Sequence, residues 1–390
     1  MRPFLGALTA VLLYLAGGAM ASRPAADQGE EKRLAALFAG LVGDDAPGLA
    51  VLLKADGRLL FRAGYGLADL HSKEQIDART NFRLASVSKQ FTAMAVMLLV
   101  HDGKLAYDQK LTEIFPEFPA YGQTIRVRNL LDHTSGLPDY EELMDQVEKE
   151  KGPQWSPERQ IHDEQVLQLL EETNHGKFPP GTRWEYSNSG YVVLGLIVAK
   201  RSGKSFGQFL EERIFSPLGM RHTLVFEKGK NQVDRRAYGY SKRDGSFIET
   251  DQSSTSATQG DGGIYSNLED LSRWDDALAG HTLLSASEFA PAITPAPLPP
   301  GAQKTLALDA PASMRPLARA YGFGWFLDGN AARPLMWHYG ETTGFKSAIL
   351  RYPAARGDSA RTVIILSNRN DLDPSGLALE AAGSVPAGSR

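Results

Sequence analysis

Ser86 and Lys89 stand three residues apart at the head of an uninterrupted apolar run, residues 93–100. Eight apolar residues in succession cannot form a one-sided stripe, so a helix through them is buried on every side. Three residues make about one helical turn, which puts the Ser86 hydroxyl and the Lys89 amine on one face. Ser88 lies a quarter-turn away from Lys89, so Ser86 is the better partner. A serine at the positive end of a buried helix, beside a lysine screened from water, is a place to activate a nucleophile. Burial lowers the amine's pKa, and the free N–H groups of the helix start favour an anion. The spacing alone is weak evidence, because about one Ser-x-x-Lys match is expected by chance in a chain this long.

Other residues could complete that chemistry. Two Tyr-x-Asn triplets occur, Tyr186-Ser187-Asn188 and Tyr265-Ser266-Asn267. Tyr186 follows Pro179-Pro180-Gly181, a turn that delivers it to the mouth of the next helix. Its phenol accepts a proton only where a cation such as Lys89 stabilises phenolate. Ser266 with Glu269 reads as a capping box, which makes Tyr265 the neighbour of a helix start and a structural residue. Two His-x-Gly triplets also occur. His101-Asp102-Gly103 ends the buried helix, with the glycine as its stop signal. His338-Tyr339-Gly340 follows Leu335-Met336-Trp337, a predicted strand, where a glycine marks close approach of a ligand or another backbone. The remaining histidines show no metal-ligand spacing, so neither a metal nor a cofactor is expected. A phosphate-binding Gly-rich loop ending in Gly-Lys-Ser/Thr, Gly-x-x-x-x-Gly-Lys-Ser/Thr, is absent.

The elements that must hold these residues come from both ends of the chain. Helical spacing of Leu34, Leu37, Phe38 and Leu41 predicts a helix over 27–41, and Asp56-Gly57 between apolar runs 48–53 and 59–63 predicts a hairpin. Residues 104–270 carry helical patterns (125–132, 163–172, 191–200, 206–214) and no convincing strand pair. The charge run 141–151 reads as a solvated loop or helix. A helix follows over 268–278, and the proline-rich stretch 291–316 reads as a surface loop. Strands are predicted again over 321–327, 345–352 and 362–367, then a short helix at 377–382. The reading is an α/β (α+β) fold: an antiparallel sheet built from both chain ends and flanked by helices, with an inserted all-helical subdomain at about 104–270.

Composition narrows the function classes. The 390 residues are 42% hydrophobic and 23% charged, with a formal net charge of −4. Nothing there invites nucleic acid or an anionic membrane. With no cysteine, disulfides, thiolate catalysis and Cys-ligated zinc are excluded. Residues 1–21 read as a signal peptide: one charge at Arg2, an apolar segment, and Ala19-Met20-Ala21 as an Ala-x-Ala cleavage pattern. The alternative is an uncleaved anchor. Cleavage leaves a catalytic domain over 22–384 and a tail at 385–390, in a bacterial periplasm or outside the cell, with no stable membrane insertion.

Ser86-x-x-Lys89, Tyr186-x-Asn188 and His338-x-Gly340, in this order, resemble the serine β-lactamase-related hydrolases, the group of class C β-lactamases, D-aminopeptidases and related esterases. Leu130-Leu131-Asp132-His133-Thr134-Ser135-Gly136-Leu137-Pro138, Gly262-Gly263-Ile264-Tyr265-Ser266-Asn267 and Leu366-Ser367-Asn368-Arg369 are similar to the same family, and the likeness runs over about 30–372. The resemblance implies a β-lactamase/transpeptidase-like fold and a Ser86 acyl-enzyme, with Lys89 and Tyr186 sharing proton transfer; which of them is the base stays open. It implies that Asn188 orients Lys89 and the substrate, and that the N–H groups of Ser86 and Glu341 meet the oxyanion. The departure is His338, where the β-lactamases and transpeptidases carry a lysine that attracts a substrate carboxylate. A neutral histidine predicts short esters or D-amino-acid amides over β-lactams and cell-wall peptides. It also predicts recovery of carboxylate-bearing substrates as pH falls through about 6.5. A catalytically silent binder of cell-wall fragments is the reading from another class.

Overall fold

The computed structural model describes residues 25–302, 306–328, 334–355 and 359–384. The expected leader at 1–21 and tail at 385–390 lie outside the described residues.

Strands β1 (Leu49–Ala55) and β2 (Arg58–Tyr65) form the hairpin that Asp56-Gly57 predicts. Both turn residues have positive φ, 48° and 74°, as a two-residue turn matched to strand twist requires. After β3 (Phe82–Arg83), β4 (Leu224–Val225), β5 (Tyr240–Arg243), β6 (Ser246–Glu249) and β7 (Ile264–Ser266), the chain returns to the main sheet. There it adds β8 (Ala320–Tyr321), β9 (Phe326–Leu327), β10 (Met336–Thr342), β11 (Phe345–Tyr352) and β12 (Arg361–Ser367). The seven-stranded order is β2-β1-β12-β11-β10-β9-β8, antiparallel throughout. The sheet is built from both chain ends, as expected.

Its central strands read as unbroken apolar runs because both faces are covered. Ala50, Leu52, Ile349, Ile364 and Leu366 join the core around the Lys89–His101 helix. Leu49, Val51, Leu53, Leu350, Val363 and Ile365 point the other way, onto Leu34 and Phe38 of the Ala25–Phe38 helix and Ala378 and Ala381 of the Pro374–Gly383 helix. One buried ionic knot crosses the first face. Asp275 of the Leu268–Ala279 helix meets Lys54 at 3.1 Å and Arg351 at 2.6 Å.

The insertion departs from the all-helical expectation. Its helices include Val127–Leu131, Tyr140–Lys151, Asp163–Glu172 and Asn188–Ser202. However, β7 pairs with β3 on one side and β4 on the other in a small sheet, and β5 and β6 form a hairpin. These strands are two to four residues long, too short to show alternation, and Lys242 and Arg243 make β5 polar. The Asp244-Gly245 turn, with φ of 49° and 83°, repeats the chemistry of Asp56-Gly57. The capping-box expectation is also corrected. Asn267 is the N-cap, its Oδ1 accepting from Asp270 N–H at 2.9 Å, while Ser266 belongs to β7 and bonds Thr223 at 2.7 Å.

Candidate active site

Ser86, the expected nucleophile, sits where a 3₁₀ turn, Ala85–Ser88, runs into the Lys89–His101 helix. Ala85 has φ of +48°, a left-handed conformation that costs a non-glycine residue roughly 1–2 kcal/mol. That strain lies directly before Ser86. Residues 93–99 are all buried, as the apolar run requires, so the helix is a rigid mount. It ends at His101, with Gly103 in the left-handed region at φ +69°.

Lys89 is fully buried, and its amine makes three contacts: Ser86 Oγ at 3.0 Å, Asn188 Oδ1 at 2.9 Å and the Asp261 carbonyl at 2.9 Å. The amide and carbonyl oxygens can only accept, so they fix two of the lysine hydrogens. The third tetrahedral position faces Ser86. When Lys89 is neutral, that position is its lone pair, and the serine hydroxyl donates to it. Burial lowers the Lys89 pKa to about 8, against a partial pull upward by the carboxylates of Asp261, Glu141 and Asp139. Geometry and desolvation together thus bring the Lys89 amine within reach of its neutral form near pH 8.

Tyr186 and Asn188 arrive on the turn before the Asn188–Ser202 helix, whose N-cap is Ser187, accepting from Gly190 N–H at 3.1 Å. The Tyr186 ring centre lies 4.9 Å from Lys89 Nζ. Its hydroxyl is enclosed and makes no hydrogen bond of good geometry among the described residues, with Ser86 near enough to act on it. Burial drives its pKa well above 10, the nearby Tyr339 adding to the rise, and Ser86 draws it partly down. Tyr186 therefore holds its proton at rest. The sequence left the base open between the two residues; these environments favour Lys89.

Strand β10 closes the site from the other side. A Cβ on Gly340 would sit 2.1 Å from the Leu84 carbonyl, so only glycine lets this strand lie flush against the nucleophile turn. Ser347 Oγ, opposite Gly340, donates to that same carbonyl at 2.8 Å. Glu341 follows with its side chain exposed and paired to Lys346 at 3.2 Å.

The expected titration of His338 is corrected. Its ring is fully buried, and both nitrogens are engaged: Nδ1 with the Tyr339 carbonyl at 2.7 Å, Nε2 with Tyr321 Oη at 2.9 Å. A carbonyl can only accept, so Nδ1 carries the hydrogen and Tyr321 donates to Nε2. Burial, reinforced by the Lys89 charge, lowers its pKa to about 3. No proton arrives near 6.5, so no carboxylate anchor forms there in mild acid.

Four contributors were not singled out from the sequence: Asp261, Tyr191, Tyr321 and His133. Asp261 lies in the glycine-rich run Gly260-Asp261-Gly262-Gly263, the local signal that could have pointed to it. Tyr191 places its ring 5.5 Å from Lys89. His133 accepts from Ser187 N–H at Nδ1, 3.1 Å, and its carbonyl accepts from Glu185 N–H at 3.0 Å. It thereby clamps the turn bearing Tyr186, and its ring packs at tilted angles among Tyr186, Tyr191 and Tyr321. Tyr265 is buried in β7, its hydroxyl accepting from Arg236 at 3.1 Å, and takes no part in the Lys89 contacts.

Residues 34–383 match the family described as Beta-lactamase, and the chain belongs to that family of serine hydrolases. It is 32% identical over 357 residues to Penicillin-binding protein 4* of Bacillus subtilis (strain 168), covering 88% of this chain and 73% of that protein. It is 26% identical to Protein flp of Staphylococcus aureus (strain MRSA252) over 83% of this chain, which spans 60% of that protein's length. Among solved structures, the D-amino acid amidase of Ochrobactrum anthropi SV3, complexed with L-phenylalanine amide, superposes with a TM-score of 0.70 at 28% identity, covering 92% of this chain and 97% of the amidase.

Proposed function

We propose that this chain is an exported hydrolase that cleaves an ester or amide bond through an acyl-enzyme on Ser86. The observation that carries the reading is the Lys89 amine held by two obligatory acceptors with its remaining position on Ser86 Oγ. Neutral Lys89 takes the serine proton as Oγ bonds to the carbonyl carbon. The N–H groups of Ser86 and Glu341 are the expected donors to the resulting oxyanion. Tyr186, held protonated by burial, gives its proton to the leaving group and regains one from Lys89. Water then repeats the sequence on the acyl-enzyme, and Ser86 recovers its proton. Asn188 holds Lys89 through Oδ1, which leaves its amide N–H groups for the substrate.

Substrates without a carboxylate at the His338 wall are preferred: short esters and D-amino-acid amides ahead of β-lactams and cell-wall peptides. The reason is the absence of a cation at 338, reinforced by the buried neutral ring. Such a cation makes a charge-assisted hydrogen bond worth roughly 1.5–3 kcal/mol. The test is a panel of esters, D-amino amides and a chromogenic cephalosporin on wild type and Ser86→Ala. Ester or amide turnover that vanishes with Ser86 supports the reading; cephalosporin preferred over every other substrate contradicts the specificity, and turnover by none favours a silent binder. Export rests on the 1–21 pattern and is tested by the N-terminal residue of the protein recovered outside the cytoplasm, expected at Ser22.

A further inference from the structure

His133 holds the peptide groups on both sides of Tyr186. Its carbonyl accepts from Glu185 N–H at 3.0 Å, and its ring Nδ1 accepts from Ser187 N–H at 3.1 Å. These bonds end a zipper between residues 133–136 and the turn that delivers Tyr186. Its earlier rungs join Lys177 N–H to the Gly136 carbonyl at 2.8 Å and Gly181 N–H to the Thr134 carbonyl at 2.9 Å. Those rungs run between backbone groups, whereas the rung just past Tyr186 ends on a side chain. Asp132 pins the other side of His133, its Oδ1 accepting from Thr134 N–H and Oγ1 at 3.2 and 2.6 Å. The imidazole also lies against the Tyr186 phenol, ring centres 4.4 Å apart.

Two features of His133 are not what packing alone selects. Its φ is +60°, a left-handed conformation that a residue with a side chain adopts at a cost. Its ring is fully buried, and because Nδ1 accepts, the ring hydrogen sits on Nε2. Nε2 is enclosed and makes no hydrogen bond of good geometry among the described residues. A buried donor left unmet lowers stability, and an apolar side chain would fill the same space without that loss. What the imidazole supplies and an apolar residue lacks is the acceptor for Ser187 N–H. Burial, reinforced by the charges of Lys89 and His338, holds the ring's pKa well below the usual histidine value, so Nδ1 stays an acceptor at neutral pH.

From this geometry we infer that His133 is a positioning residue for proton delivery: by holding the N–H groups before and after Tyr186, it fixes the phenol where the leaving group departs. The inference rests on the hydrolase reading above and assigns a role within it. In that step the bond between the acyl carbon and the leaving oxygen or nitrogen breaks. Its electron pair goes to the leaving atom, which takes the Tyr186 proton as the carbonyl re-forms. Attack by Ser86 depends instead on the Lys89 amine, whose contacts are Ser86, Asn188 and Asp261. Loss of the clamp therefore falls hardest on leaving groups that need a proton.

The test compares the nitrophenyl and phenyl esters of one carboxylic acid by kcat/KM. Nitrophenolate is a stable anion that departs without a proton, whereas phenolate leaves far more readily with one. Glycine and asparagine both tolerate the left-handed backbone and both lack the ring, but asparagine keeps an acceptor at the place of Nδ1. In His133→Gly the nitrophenyl-to-phenyl ratio should rise by about tenfold or more, toward its value in Tyr186→Phe, while His133→Asn should stay within about threefold of wild type. A merely structural role would lower both esters together and leave the ratio unmoved. His133→Ser, whose oxygen stops one bond short of Nδ1, replaces the glycine variant if that does not fold. An unchanged ratio in the folded glycine or serine variant, an asparagine variant that matches it, or failure of both to fold overturns the positioning role. Ser86-dependent ester turnover by wild type would still leave the hydrolase reading standing. If wild type turns over no ester and Ser86 takes no covalent label, the hydrolase reading falls and the positioning role with it.

Discussion

Lys89 and Tyr186 carry opposite protonation tendencies in one small space, and that contrast makes sharp predictions. Lys89→Ala and Tyr186→Phe should each lower acylation by about 10²–10⁴-fold with the fold intact by circular dichroism. Tyr265→Phe should be nearly silent, because its hydroxyl meets Arg236 and Gln252 and takes no part in the Lys89 contacts; reversed results for the two tyrosines would reverse their roles. With the Lys89 pKa at about 8, acylation should climb with pH, about tenfold per unit, and level off above 8. His338 carries a separate prediction about acid. Its folded pKa of about 3 lies below the unfolded value of 6.5, so between those limits the unfolded chain binds a proton that the folded one does not. Stability should therefore fall with falling pH, by about 1.4 kcal/mol per unit for this group. Denaturant titrations of wild type and His338→Gln from pH 6.5 to 4 check this; equal slopes would show that the ring is not buried neutral.

At the scale of elements, β10 and the nucleophile turn work as one unit, held together by Gly340. Gly340→Ala should destabilise the protein by about 1–3 kcal/mol. It should also cost about 10²-fold in turnover, because pushing β10 off Leu84 moves Glu341 N–H relative to Ser86. A variant with wild-type turnover would remove β10 from the site. Elements with strong local signals were legible in the sequence: the Asp56-Gly57 hairpin, the buried 93–100 helix, the Asp163–Glu172 helix at its observed bounds and the Phe345–Tyr352 strand. What stayed hidden had weak local signals. In the β5–β6 hairpin the β5 side next to the turn is polar, so Asp244-Gly245 lacks the paired apolar runs that flank Asp56-Gly57. The Ser266 cap competed with Asn267 one residue on, and strand pairing with β3 and β4 decided for Asn267. At the candidate site, Ser86, Lys89, Tyr186 and Asn188 were legible through the order of three motifs, each weak alone, and the fold brings them together. His133, Asp261 and Tyr321 act through backbone groups or through a second ring, and no spacing reports that. The error at His338 was one of burial: composition names the residue, but only packing sets its pKa.

Across the whole molecule, the sheet brings the two chain ends together and the knot of Lys54, Asp275 and Arg351 ties it to the Leu268–Ala279 helix. Asp275→Asn takes the carboxylate from buried Arg351 and leaves Lys54 with Asp276 alone, at a cost of about 3–5 kcal/mol; a shift below 1 kcal/mol in chemical denaturation would mean the knot is solvated. The same long-range assembly places Ser86, Tyr186 and β10 around one amine from three distant parts of the sequence. The most direct measurement of the central claim is the rate of covalent labelling by a fluorophosphonate probe between pH 6 and 9, with the modified residue located by mass spectrometry. The account predicts one label on Ser86, a rate rising to a plateau near pH 8, and near-complete loss of labelling in Lys89→Ala. A label on another residue, no label on folded protein, or a rate independent of both pH and Lys89 would contradict it.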